Sequence, residues 1–190
     1  MNICLNPQES HVVPDGSPST IMCTEPHCGY LVSGASVEGW RVNTLFREGP
    51  VSDLYLANSD ESRSASSMVV KVLKWEPIGQ PARLMASLKP ILALRHPHIL
   101  PIQGFGWTGN GGKLFLIVPY AEFGSLMRYL QASTSVPPLA AAGLVLQMAS
   151  ALQHAHEQRI VHGRLALTNC LLVSPATIQI SDFYRSLLED

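Results

Sequence analysis

The chain has 190 residues, 46% of them apolar and 14% charged, with a formal net charge of −1, which suits one domain plus a small appendage with a substantial core. So small a charge gives no electrostatic case for nucleic acid or an anionic membrane surface. No apolar run reaches the length of about eighteen that would span a bilayer, and no secretory leader is visible, so a cytoplasmic chain is expected, without structural disulfides at Cys4, Cys23, Cys28 and Cys170.

Residues 1 to about 38 are rich in Pro, Gly, Ser and Cys and carry neither a helical nor a strand period. From Trp40 the pattern changes. Residues 51–57 alternate like a half-buried strand, and the β-branched run Met68-Val69-Val70-Lys71-Val72-Leu73 predicts a second. The polar, Ser-rich stretch 58–67 between them predicts a loosely connected hairpin. Residues 83–94 place apolar side chains at 84, 85, 88, 91, 92 and 94, a helical spacing expected to end before Pro97 and Pro101. A short apolar strand follows at 114–118, then a helix at 126–131 with Ser125 as its cap. Residues 139–157 predict a long helix with a stripe at 141, 144, 145, 148, 152 and 155, and strands are expected at 170–173 and 177–180. Strands with one helix, followed mostly by helices, suit an α+β chain of two lobes.

The string Ile160 to Leu172 reads IVHGRLALTNCLL, and thirteen positions after Asn169 comes Asp182 in Asp182-Phe183-Tyr184. This resembles the protein-kinase catalytic loop, H-R-D-L-x-x-x-N, followed by D-F-G. His162, Leu165 and Asn169 keep their places, whereas Gly163-Arg164 stands where Arg-Asp is expected. The resemblance runs from about Trp40 to Asp182 and is most like bacterial serine/threonine kinases. It implies an antiparallel-sheet N-lobe with one helix over 39–119 and a partial helical C-lobe over 120–190, preceded by a head over 1–38. By the same resemblance the activation segment and later helices are absent, which is expected to leave one apolar face of 139–157 partly uncovered.

Phosphoryl transfer needs a glycine-rich phosphate cover, a Lys held by a Glu, two metal ligands and an Asp that orients the acceptor hydroxyl. By the resemblance, Lys71, after Val69, is the lysine that reaches the α- and β-phosphates, and Asn169 and Asp182 are magnesium ligands. Leu116 to Tyr120 resembles the strand entering the adenine-binding hinge, with Val118 as gatekeeper and Pro119, Tyr120 and Ala121 as the hinge. Other parts depart from the pattern. The Glu position falls on Ser87, and the phosphate cover becomes Arg47-Glu48-Gly49-Pro50-Val51-Ser52-Asp53-Leu54, where only Gly49 survives. Glu48 and Asp53 are expected to bring negative charge toward the phosphates. Arg164 replaces the catalytic base, Ala166 the following Lys, and Tyr184 the Gly that usually lets the triplet move. A guanidinium at 164 is expected to pair with Asp182 and compete with magnesium.

The resemblance therefore implies a pseudokinase, a binding or regulatory module for a protein partner with weak ATP and magnesium binding. Two alternatives are an active serine/threonine kinase and a non-functional fragment. In the head, Cys4, Cys23 and Cys28, with His27 as a fourth donor, resemble the zinc-ribbon-like heads before some bacterial kinase domains; a leader with free thiols is the other reading. Cys170 reads as a small core residue, and His96, His98, His154 and His156 show no ligand grouping.

Overall fold

The computed structural model describes residues 2–9, 12–13, 22–23, 28–59, 67–74, 81–108, 112–133 and 135–184. The chain divides into two compact units, Met1–Glu76 with Ile102–Tyr120, and Pro77–Pro101 with Ala121–Asp190. None of its helices, among the described residues, is long and apolar enough to cross a membrane.

The first unit is built on a six-stranded antiparallel sheet. Strands β1 (Asn2–Ile3) and β2 (Val12–Val13) pair with each other outside it. The sheet itself comprises β3 (Ser36–Val37), β4 (Trp40–Arg47), β5 (Ser52–Ser59), β6 (Met68–Leu73), β7 (Gly104–Trp107) and β8 (Leu114–Pro119), in the order β3-β4-β5-β6-β8-β7. The β-branched run forms the central strand over the expected residues. In β5 the alternation buries Asp53, Tyr55 and Ala57.

The head is not loose where it is described, a correction to the expectation of no strand there: strands of two residues are too short to show a period. Ser36–Val37 joins the large sheet beside Trp40 and Arg41. Leu31 packs with Val42, Tyr55, Val70, Val72 and Ile117 in one apolar core, and its backbone N–H donates to the Tyr55 hydroxyl at 3.3 Å. Burying one such leucine contributes about 2 kcal/mol.

Polar contacts reinforce the attachment. Tyr30 Oη donates to Glu48 at 2.7 Å, which raises the phenol to about 12 and lowers the carboxyl. Lys74 Nζ stands 3.4 Å from Glu48 and 3.0 Å from Asp53 Oδ1. Partial burial pulls the Lys74 ammonium down, but the two carboxylates outweigh it and leave it above the ordinary lysine range. Asp53 is buried, and its Oδ1 has the Lys74 charge nearby but no aligned hydrogen bond among the described residues. Lys74→Met should therefore strand a buried carboxylate and cost about 1–2 kcal/mol in urea denaturation. That is less than the roughly 3–5 kcal/mol of a fully buried pair, because about a third of Lys74 is exposed. The double variant with Asp53→Asn should recover most of the loss, and a loss equal to the sum of the two singles would refute the coupling.

In the second unit, α1 (Pro81–Leu92) buries Leu84, Leu88 and Ile91 at helical spacing. It ends earlier than expected: Pro90 sits in its last turn, and Ala93 N–H closes the end onto Lys89 and Pro90 carbonyls. Helix α2 (Leu126–Ala132) starts at Ser125, whose Oγ accepts from Arg128 N–H at 3.3 Å. Helix α3 (Pro138–Glu157) buries Leu144, Ala151 and Ala155. Of the expected stripe, Ala141 and Val145 are exposed, and so are Leu139 and Leu146, which lie off it on another side of the helix. Strands β9 (Cys170–Ser174) and β10 (Thr177–Ile180) close the unit as a hairpin. The segment after α1 joins β10 through Leu100 N–H to Ile180 and Ile180 N–H to His98.

Candidate kinase-type functional site

The loop after α3 is organised around His162. Its side chain is 2% exposed, and Nε2 lies 2.8 Å from the Ser181 carbonyl while Nδ1 accepts from Arg164 N–H at 3.2 Å. These two bonds together require the proton on Nε2, and so select one neutral tautomer. The ring also packs on Phe183 at 4.6 Å. Gly163 takes φ +70°, a left-handed turn that suits glycine in the place the resemblance gives to Arg.

Register brings the two metal-ligand candidates together. Cys170 pairs with Ile180, so Asn169 lies opposite Ser181, and its carbonyl accepts from Ser181 N–H at 2.8 Å and Oγ at 3.1 Å. Asp182 is the next residue. Asn169 Nδ2 donates to the Arg164 carbonyl at 2.9 Å, which commits the amide nitrogen and makes Oδ1 the atom suited to a cation. Asp182 has φ +70°, a conformation costly for a non-glycine residue and tolerated best by Asp and Asn. Tyr184, buried, donates its hydroxyl to Asp182 Oδ1 at 3.3 Å. Oxygen donors from an Asn and an Asp fit magnesium, but here a phenol occupies one of those oxygens.

The first unit holds the other candidates. Lys71 pairs with Leu54 and Leu116, and Val69 with Leu56 and Val118, so Lys71, Val69 and Val118 share one face of the sheet. Asp53 pairs with Val72 and therefore faces the other way, toward the head. This corrects the expectation that Asp53 and Glu48 face a phosphate: Lys74 and Tyr30 engage them elsewhere. Gly49 is required by the chain itself, since a Cβ there would meet the Ser52 carbonyl oxygen at 2.9 Å. Tyr120 N–H donates to the Ser67 carbonyl, and its ring stands edge-on to Phe46 at 5.9 Å. The chain passes from the first unit to the second between Tyr120 and Ala121, within the expected hinge. Helix α1 contains no acidic residue, and Ser87 is exposed.

Two further groupings stand apart from these residues. The sulfurs of Cys4, Cys23 and Cys28 lie within 4.8 Å of one another, and burial pushes the Cys4 thiol up to about 12. His27, expected as their companion, lies outside the described residues. The rings of His96, His98 and His154 also cluster, at 5.6 and 5.1 Å, although no ligand grouping was expected. Their nitrogens serve the fold: His96 Nδ1 accepts from His98 N–H, His96 Nε2 meets Ser150 Oγ, and His98 Nδ1 meets the Ile178 carbonyl. Burial and the two neighbouring imidazoles hold His96 below the usual histidine range. Cys170 is buried against Met148, a core residue as expected.

The family profile described as protein tyrosine and serine/threonine kinase matches residues 43–187. The chain belongs to the protein kinase family. Among curated relatives, Aurora kinase A-A of Xenopus laevis is 29% identical over 150 residues, covering 77% of this chain and 36% of its own length. The mouse serine/threonine-protein kinase LMTK3 is 33% identical over 132 residues, covering 63% of this chain and 9% of its own. The chain thus spans about a third of the Aurora relative's length. Among solved structures, the PknI kinase domain of Mycobacterium tuberculosis superposes with a TM-score of 0.66 at 22% identity, over 81% of this chain and 63% of that one. Rad53 1-466 in complex with AMP-PNP gives 0.67 at 19% identity, over 77% and 38%. These likenesses confirm the kinase fold. The matched segment contains every candidate nucleotide residue, from Gly49 to Asp182, and excludes Cys4, Cys23 and Cys28.

Proposed function

We propose that this kinase-family chain is a pseudokinase, a module that binds a protein partner and holds ATP with magnesium weakly. The observation that carries the reading is Arg164. A kinase needs a carboxylate there to receive the acceptor's proton, and a guanidinium cannot do so. The lack of any acid in α1 adds to it, because an active kinase supplies a glutamate from the corresponding helix. Retention of Lys71, Asn169 and Asp182 supports residual nucleotide binding, in line with the AMP-PNP complex of Rad53. Magnesium would be held by Asn169 Oδ1 and Asp182, and would supply charge neutralisation to the phosphates. A cytoplasmic setting, where thiols stay reduced, belongs to this reading.

Thermal shift with ATP and magnesium tests nucleotide binding: saturation at about 100 times Kd adds about 2.7 kcal/mol, and Lys71→Ala should remove the shift. Transfer of radiolabelled phosphate that depends on Lys71 would replace the pseudokinase reading with that of an active kinase. Tyr184→Phe provides a finer test. Removing the phenol takes one hydrogen bond from the Asp182 carboxylate, and a hydrogen bond to a charged group contributes about 1.5–3 kcal/mol. Calorimetry should show magnesium–nucleotide affinity rising about tenfold, while nucleotide without magnesium binds as before. Equal affinities in the two proteins would show that the phenol does not compete with the metal.

A further inference from the structure

The head poses a problem that the kinase fold does not answer. Its strands are two residues long, and a segment so small cannot build a core of its own. The matched kinase segment begins only at residue 43, so the family does not account for what holds the head together. At its centre, three segments deliver three sulfurs to one point. Cys4 follows β1 and forms a bridge with Val32; Cys23 N–H donates to the Tyr30 carbonyl; Cys28 precedes Gly29, which turns at φ +67°.

All three sulfurs lie within 4.8 Å of one another, and Cys4 and Cys28 are 3.3 Å apart. Sulfurs bound at about 2.3 Å to a tetrahedral zinc ion stand about 3.8 Å from each other, so this spacing brackets the one zinc imposes. Cys4 and Cys23 are buried against Val32 and Ala35, which gives the trio a dry wall. Asn6 Nδ2 points at Cys28 Sγ from 3.8 Å, the kind of outer donor that steadies a metal-bound thiolate. A disulfide between Cys4 and Cys28 would leave Cys23 without a role, whereas a metal uses all three.

We propose that Cys4, Cys23 and Cys28 form a three-sulfur site for a soft divalent cation, zinc, which ties the head to itself and, through Leu31 and Val32, to the sheet. Each bound cysteine gives up its thiol proton to solvent, and the fourth tetrahedral position falls to a donor outside the trio. This site is independent of the nucleotide reading.

The full chain, purified under reducing conditions, should carry one zinc per molecule by elemental analysis. Cobalt substituted for it should show thiolate charge-transfer absorption and the intense d–d bands of tetrahedral geometry. Cys4→Ser, Cys23→Ser and Cys28→Ser should each lose the zinc, Cys170→Ala should keep it, and Asn6→Ala should weaken affinity about tenfold. If the cysteine variants precipitate, the cobalt spectrum of the unaltered chain decides by itself. Absent zinc with no tetrahedral thiolate bands would overturn the site, as would a reduced chain with all three thiols alkylated at full rate in excess zinc. A Cys4–Cys28 disulfide that does not bind metal after reduction would overturn it equally.

Discussion

Exchanging Arg164 for Asp should raise phosphoryl transfer by about 10²-fold over the unaltered chain. A positioned acid–base group contributes about 10²–10⁴ in rate, and the lower end applies because other parts are also missing. By the kinase resemblance, Ser87 stands where the lysine's carboxylate partner is needed, and only Gly49 remains of the phosphate cover. The backbone of residue 164 has bonds that any side chain can keep: its N–H donates to His162 Nδ1, and its carbonyl accepts from Asn169 Nδ2. Adding Tyr184→Phe should increase the rate further by removing the phenol's hydrogen bond to the Asp182 carboxylate, and Lys71→Ala in the same background should abolish it. Single-turnover transfer from radiolabelled ATP measures all of this. An Arg164→Asp protein that binds nucleotide as before yet transfers no faster would show that the missing carboxylate is not what limits the chemistry.

His162→Ala should cost about 3 kcal/mol. One imidazole accepts from Arg164 N–H, meets the Ser181 carbonyl and packs on Phe183, all from a buried position. Each stranded buried polar partner costs about 1–3 kcal/mol, and truncating a buried ring adds a cavity. Because Ser181 precedes Asp182 directly, the triplet should loosen as well, and hydrogen exchange at Ser181 and Phe183 should accelerate along with the fall in urea midpoint. His162→Gln should restore part of the loss, since its amide can supply one of the two bonds. A change below about 1 kcal/mol would mean that the histidine is a passenger and that the β9–β10 register alone positions Asn169 and Asp182.

Much of this was legible before any coordinates. The run Met68–Leu73 is a strand because β-branched residues favour a pleated, buried setting, and Ser125 caps α2 because a hydroxyl can accept from a backbone amide in the next turn. The spacing of His162, Asn169 and Asp182 named the family, and the kinase comparisons bear it out. Other readings misled for identifiable reasons. The stripe on α3 is only partly buried, as an uncovered face implies: periodicity finds an apolar face but cannot tell how much of it a partner covers. Asp53 looked like a phosphate-facing charge until strand pairing placed it beside Val72.

What the sequence determined by itself is what depends on composition and short-range order: the kinase motif, the arginine at 164, the acid-free α1. Tertiary structure alone decided which atoms meet across long separations. Cys4 and Cys28 are 24 residues apart, and His96 and Ser150 are 54 apart. Tyr184 lies only two residues from Asp182, yet its bond to that carboxylate depends on the left-handed turn at Asp182. The physical reason is common to all three: local preference acts along the chain, while a contact between side chains is set by how the backbone between them is folded.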